Sequence, residues 1–169
     1  KRQAEWCDSY LAGSAFADYL RDPNVLGFFS DNEINFSSNS SRILDRFLAI
    51  NSSNDPAYVA AKSFMDSKGV QSVTDALNNE FAGIVAEKYY KAVKEAVMKV
   101  DDKLLYLGTR LHGTPKYMEG VMRAAGKYCD VISINYYSRW SPELTTAIAD
   151  WASWADKPFL VCLLYTSPS

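Results

Sequence analysis

The fold class of this chain is decided by the stretch Val25-Leu26-Gly27-Phe28-Phe29-Ser30-Asp31-Asn32-Glu33. Its first six residues form a short and almost continuously apolar run, which is typical of a strand that is buried on both faces of a parallel sheet. The polar residues Asp31, Asn32 and Glu33 follow this run directly. They are therefore expected at the carboxyl end of the strand, where parallel α/β folds carry their sites.

Three further apolar runs, at 104–108, 131–137 and 159–161, predict three more strands. Helical patterns lie before and between the strands: near 6–20, over 42–50, from 55 to 69, over 74–100, from 114, and from 141 to 157. The alternation indicates an α/β fold with a parallel sheet and right-handed crossovers. Four strands with polar carboxyl ends favour a partial TIM (β/α)8 barrel. An open doubly wound sheet is the alternative, although no GxGxxG or Walker pattern supports its nucleotide-binding form.

Helix ends and faces can be read from the same pattern. Asp55 and Pro56 predict an N-cap and a first helical position, and Gly69 predicts the end of that helix. The longest helix should bury one apolar stripe, whose members are Phe81, Ile84, Val85, Tyr89, Val93, Ala96, Val97 and Val100.

Composition excludes several functional classes. The 169 residues are 48% hydrophobic, carry a net charge of −2, and contain no basic run, which argues against nucleic-acid binding. No apolar run is long enough for a bilayer. The three cysteines (Cys7, Cys129 and Cys162) and the single histidine offer no metal-ligand spacing, and no cofactor fingerprint is present, so neither a metal nor a cofactor is expected. The aromatic content of 14% fits a filled core or a platform for sugar rings.

Glu33 is the strongest candidate for chemistry. A carboxyl group at the mouth of a barrel would be partly desolvated, and its pKa would be raised, as a general acid requires. Asn32 beside it could hydrogen-bond the 2-hydroxyl of a sugar. The alternative interpretation of Glu33 is a loop carboxylate that caps a helix.

Three motifs in order resemble clan A glycoside hydrolases, and most of all the β-agarase-like, galactan-cleaving enzymes. Residues 22–33 resemble the fourth barrel strand of these enzymes, where a D-P-x-x-x-G-[FY]-F-x-D-N-E segment presents the acid/base. Residues 104–110 resemble the fifth strand and residues 124–137 the sixth. The resemblance spans nearly the whole chain except its last residues, and it implies a retaining hydrolase of agarose-like β-galactans with Glu33 as acid/base.

The resemblance also implies a set of substrate-binding residues: Asp31, Arg110, His112, Asn135, Tyr137 and Trp140. For several of them a structural role is equally open. Arg110 could hold a sugar or pair with an acid such as Asp31, and His112 could bind substrate or a backbone group. Either Tyr136 or Tyr137 could face the substrate, because alternate residues of a strand point to opposite sides. Trp140 could stack on a sugar or plug the core, whereas Trp151 and Trp154 are expected to pack inside.

The family places its nucleophilic Glu at the end of the seventh strand, and here the corresponding residues contain none. Residues 1–161 are therefore interpreted as the central part of a catalytic barrel, and 162–169 as an atypical tail that arises from a sequence artefact. Such a fragment should not hydrolyse its substrate. The alternatives are a non-catalytic carbohydrate-binding barrel and another clan A enzyme such as a β-galactosidase. The family resemblance implies a polysaccharide or oligosaccharide partner and a secreted or periplasmic location.

Overall fold

A computed structural model describes residues 22–38, 40–99, 102–137 and 142–164, together with Glu5 and Ser9. The helix expected near 6–20 lies outside these residues except for Ser9, which is helical. In chain order the elements are β1 (Gly27–Phe28), α1 (Ile43–Leu48), α2 (Pro56–Lys68), α3 (Asp75–Met98), β2 (Leu105–Tyr106), a 3-10 turn (Thr114–Tyr117), α4 (Glu119–Tyr128), β3 (Ile132–Tyr136), α5 (Pro142–Ala155) and β4 (Phe159–Leu164).

The described strands are parallel and lie side by side in chain order. β1 pairs with β2, and β3 pairs with β4. A parallel bridge between Leu111 and Ile134 joins the two halves, and the Asp130 amide donates to the Tyr106 carbonyl at 2.9 Å. Helices connect the strands, so the predicted α/β class with parallel strands is confirmed. β4 continues as far as Leu164, with a shift of register opposite Ile134 and Asn135.

The strands β1 and β2 are shorter than the sequence predicts. The prediction that β1 is buried on both faces is wrong, because Gly27 and Phe28 are half-buried and Leu26 is 65% exposed. The apolar run at 104–108 forms a ladder only over Leu105–Tyr106, because Gly108 turns the chain with a φ of 77°. A left-handed residue cannot continue a strand, and glycine adopts that conformation at little cost. The apolar pattern therefore located the strand, and the backbone conformation set its end.

The predicted ends of α2 are confirmed, whereas the helix predicted from Thr114 begins as a 3-10 turn and is α-helical only from Glu119. The Asp55 side chain accepts a 2.8 Å hydrogen bond from the Ala57 amide, and Pro56 is the first residue of α2. Gly69 ends α2 with a φ of 65°. Thr74 caps α3 by accepting from the Leu77 amide at 3.2 Å.

The buried face of α3 differs from the predicted stripe. Ile84 is 40% exposed, and Tyr90, which the prediction omitted, is fully buried. The buried residues of α3 are Asn78, Phe81, Ala82, Ala86, Tyr90, Val93, Ala96 and Val97. The shift arises because α4 packs closely on the side of Gly83, where an added Cβ would lie 2.9 Å from the Gly120 Cα. Apolar spacing alone cannot show which side of a helix its neighbour will approach.

The remaining core agrees with the expected packing of the tryptophans. Trp151 is 2% exposed, and its ring lies 5.8 Å from that of Tyr117 and 6.2 Å from that of Phe159. Trp154 is partly buried against the same core. Cys129 is buried and Cys162 half-buried, both as free thiols, while Cys7 lies outside the described residues. No helix in the described part is long and apolar enough to cross a membrane.

Candidate active site

The loops that follow β1 and β2 are joined where the candidate acid lies. The Glu33 amide donates to the Thr109 carbonyl at 2.8 Å, and the Ser30 amide donates to the Gly108 carbonyl at 3.0 Å. Glu33 and Arg110 both have left-handed backbones, with φ values of 53° and 50°. This conformation costs a non-glycine residue about 1–2 kcal/mol, and such residues cluster at functional sites. The surrounding contacts thus fix the Glu33 backbone in a strained geometry.

The Glu33 carboxylate is bound by two side chains from the end of β3. Asn135 donates from Nδ2 to Glu33 Oε1 at 2.7 Å, and the Tyr137 hydroxyl donates to the same oxygen at 3.0 Å. These partners lie 102 and 104 positions further along the chain. The fold therefore brings three of the predicted site residues together.

The pleat of β3 decides which tyrosine faces the candidate acid. Ile134 and Tyr136 point into the core formed with the helices, whereas Asn135 and Tyr137 reach Glu33 on the other side. Successive strand residues alternate between faces, so Tyr136 and Tyr137 cannot share one. Of the two tyrosines, Tyr137 is the one that contacts Glu33, and it is 44% exposed.

Two basic side chains, those of His112 and Lys116, approach the backbone carbonyl of Asn135. His112 Nδ1 lies 3.4 Å from the Asn135 carbonyl oxygen, and its ring packs edge-on against Tyr137 with centroids 4.9 Å apart. Lys116 Nζ donates to the same carbonyl oxygen at 3.4 Å. His112 thus contacts a backbone group, which was one of the two roles that its position in the sequence left open. Lys116 was not predicted as a site residue, because in the sequence it follows Pro115 and looks like a surface lysine.

The pKa of Glu33 is lowered, and the expectation of a raised pKa is wrong. The main cause is the hydrogen bond from Asn135; the bond from Tyr137 and the positive charges of His112 and Lys116 act in the same direction. Burial opposes them, but its effect is smaller than their sum, because donors that bind a carboxylate favour its ionised form. Glu33 is therefore poised as an anion in this segment.

Replacing Asn135 with Ala should raise the pKa of Glu33, because the largest cause of its lowering disappears. Tyr137→Phe should raise the same pKa by less, since its hydrogen bond is longer. A 13C NMR titration of the Glu33 carboxyl measures both changes. Asn54→Ala, in an exposed turn before α2, is the matched control and should leave the titration unchanged. An unaltered midpoint in Asn135→Ala would show that the amide does not bind the carboxylate.

Of the other predicted residues, Asp31 and Asn32 lie on the loop after β1, and Arg110 lies on the loop after β2. The Arg110 guanidinium carbon lies 4.1 Å from the centre of the Phe29 ring, so Arg110 stacks on an aromatic face. Asp31 accepts from the Asn32 amide at 2.8 Å, and both side chains are exposed. Trp140 lies outside the described residues.

A network of hydroxyl groups beneath the loops was also missed by sequence analysis. The Ser30 hydroxyl lies 2.7 Å from that of Tyr106 and accepts from Tyr89 at 3.0 Å. The buried hydroxyls of Tyr90 and Thr109 lie 3.0 Å apart. These bonds tie the start of each loop to α3 and β2, and thereby support the strained residues that follow. The sequence around these tyrosines gave no sign of this role.

A cavity of about 320 Å³ lies between the start of α3 and the 3-10 turn. Its lining includes Arg42, Asp75, Asn79 and Tyr117, but not Glu33. The Glu33 carboxylate does not line this cavity, so the contacts of Glu33 define the candidate active site. Within the described residues no group of three His, Cys, Asp or Glu side chains is arranged to hold a metal ion.

Several solved structures are similar to this chain. BpGH50 is 56% identical, with a TM-score of 0.83, over 92% of this chain and 35% of that protein. An exo-beta-agarase is 23% identical (TM-score 0.71, over 96% of this chain and 26% of that one). The agarase AgWH50C is 24% identical (TM-score 0.68, over 95% and 25%). At these lower identities the likeness to the two agarases concerns the fold.

This chain spans between a quarter and about a third of the length of these structures. No family model matches the chain, and no curated protein matches it significantly.

Proposed function

The chain is a β-agarase-like segment related to the GH50 enzymes, and from that relationship we propose that the whole protein is a glycoside hydrolase of agarose or a related β-galactan. Glu33 is the acid/base of this reaction. The observation that carries the proposal is the binding of one Glu33 oxygen by Asn135 at 2.7 Å and Tyr137 at 3.0 Å, across the ends of β1 and β3. Barrel enzymes keep their catalytic groups at the carboxyl ends of their parallel strands, and the Glu33 carboxylate is held at such a place.

The fold proposed for the whole protein is a (β/α)8 barrel, of which these strands form a part. Parallel strands that neighbour one another in chain order, with helices between them, support this architecture. An open doubly wound sheet reverses its strand order at a switch point, and β1 to β4 show no such reversal.

In the proposed mechanism Glu33 first protonates the departing glycosidic oxygen, while a second carboxylate attacks the anomeric carbon. Glu33 then removes a proton from the water that releases the sugar. Retention requires the two carboxyl groups to lie about 5–5.5 Å apart. Residues 157–169, where the family resemblance places the nucleophile, contain no Asp or Glu. The nucleophile is therefore proposed to come from outside the described residues, and the 169-residue chain alone should not hydrolyse the polymer.

The lowered pKa of Glu33 fits the second half of this reaction, in which Glu33 must be ionised. For the first half it needs a proton. A second anionic carboxylate nearby raises the pKa of its neighbour, and a bound sugar that excludes water acts in the same direction. The nucleophile and the substrate would thus supply the upward shift that this segment lacks.

The remaining predicted residues are proposed to bind substrate around Glu33. Asn32 is exposed beside the acid and would hydrogen-bond a sugar 2-hydroxyl. Asp31, Arg110 and His112 lie on the loops after β1 and β2, where sugar hydroxyls can reach them. Asn135, Tyr137 and Trp140 are the candidates that follow β3.

The proposal is tested with the full-length protein on agarose, porphyran and an aryl β-galactoside. Cleavage of agarose with retained anomeric configuration, followed by 1H NMR, is expected. Binding of agarose oligosaccharides without cleavage would instead indicate a non-catalytic barrel. Cleavage of the aryl galactoside alone would indicate a β-galactosidase. The 169-residue chain is the matched negative control.

A further inference from the structure

Lys116 is an unusual lysine because its charge is buried. The residue is only 5% exposed, in the 3-10 turn between β2 and α4. Lysines are almost never fully buried unless a partner compensates the charge. None of the carboxylates in the described part forms an ion pair with its ammonium at hydrogen-bonding distance. Such a costly placement calls for a role beyond packing.

The Lys116 ammonium contacts two residues at the end of β3 and one neighbouring ring of its own turn. Its Nζ lies 3.4 Å from the Asn135 carbonyl oxygen. It also lies 5.1 Å from the centre of the Tyr136 ring and 5.2 Å from that of Tyr117. Aromatic faces stabilise a cation that has lost its water. The ammonium is thus held between two rings, with its hydrogen bond directed at the residue whose amide binds Glu33.

We propose that Lys116 is a positioning residue of the active centre. It holds the backbone carbonyl of Asn135 and so orients the side-chain amide of Asn135 on Glu33. From this position it also supplies a fixed positive charge near the Glu33 carboxylate. The inference rests on the proposed role of Glu33 and extends it to a residue that does not touch the substrate.

The charges around the pair agree with this role. Glu33 is faced by Asn135 and Tyr137 from β3 and by His112 and Lys116 from beyond β2. Burial lowers the pKa of Lys116, and the charge of Glu33 opposes that lowering. Each of the two groups therefore favours the charged form of the other.

Lys116→Met tests the proposal in the full-length enzyme, since methionine keeps the length of the side chain and removes its charge. We expect kcat on an agarose oligosaccharide to fall about tenfold with little change in KM, because the substrate is not contacted. The alkaline limb of the kcat/KM profile, which reports protonated Glu33, should move up by about 0.5–1 pH unit. Lys116→Arg keeps the charge and should return that limb toward its original pH.

The controls separate this inference from the function on which it rests. Lys62→Met, at an exposed position of α2, should change neither kcat nor the profile. Glu33→Gln should abolish the alkaline limb; if it does not, the proposed function fails. If it does, and Lys116→Met leaves the limb unmoved, the positioning role alone is wrong. Should Lys116→Met fail to fold, Lys116→Gln removes the charge while keeping a donor, and an unmoved limb in that variant likewise overturns the proposal.

Discussion

Replacement of Glu33 by Gln in the full-length protein is expected, under the proposed function, to lower kcat on agarose oligosaccharides by about 10²–10⁴-fold. The amide keeps the size of the side chain but cannot protonate the departing oxygen or accept a proton from water. A thousandfold loss corresponds to about 4 kcal/mol of transition-state stabilisation. Steady-state kinetics on a soluble oligosaccharide measures the loss directly.

The nature of the loss distinguishes an acid/base from a residue that merely supports the site. With an aryl galactan oligosaccharide whose leaving group needs no proton, the first step should be much less impaired, and added azide should restore turnover by replacing water. Glu95→Gln, on an exposed face of α3, is the matched control and should keep normal kinetics. Near-normal turnover of Glu33→Gln on agarose oligosaccharides would remove Glu33 from the mechanism.

Gly126→Ala is expected to destabilise the folded protein by about 1–3 kcal/mol, as overpacking in a core does. A Cβ at this position of α4 would lie 2.2 Å from the Ala155 carbonyl oxygen and 2.6 Å from its Cα. Those atoms belong to the backbone at the end of α5, so relief requires the two helices to move apart. Urea unfolding of the full-length protein, followed by tryptophan fluorescence, measures the change.

Helix propensity predicts the opposite sign for the same substitution. Alanine inside a helix is favoured over glycine by about 0.8–1 kcal/mol. A stabilised Gly126→Ala protein would therefore show that α4 and α5 are not in contact at this point. Arg123→Ala, on the exposed side of α4, loses only an i, i+4 pair with Glu119 and should change stability by about 0.5 kcal/mol or less.

The parts of the fold that depend on local chemistry could be predicted from the sequence. Asp55, Pro56 and Gly69 mark the ends of α2, because caps are made by residues close to one another in the chain. The parallel strands followed from apolar runs alternating with helical patterns. The buried face of α3 was predicted less well, since the approach of α4 at Gly83 moved it away from Ile84.

The sequence by itself placed Glu33 shortly after an apolar strand, and motif resemblance pointed to its family. The tertiary structure alone decided what binds its carboxylate: Asn135 and Tyr137, more than a hundred positions away, with Lys116 behind them. It also reversed the expected direction of the Glu33 pKa. The physical reason is that a pKa depends on which donors and charges surround the group in space. Those neighbours are fixed by the pairing and pleat of strands far apart in the chain, which local sequence does not encode.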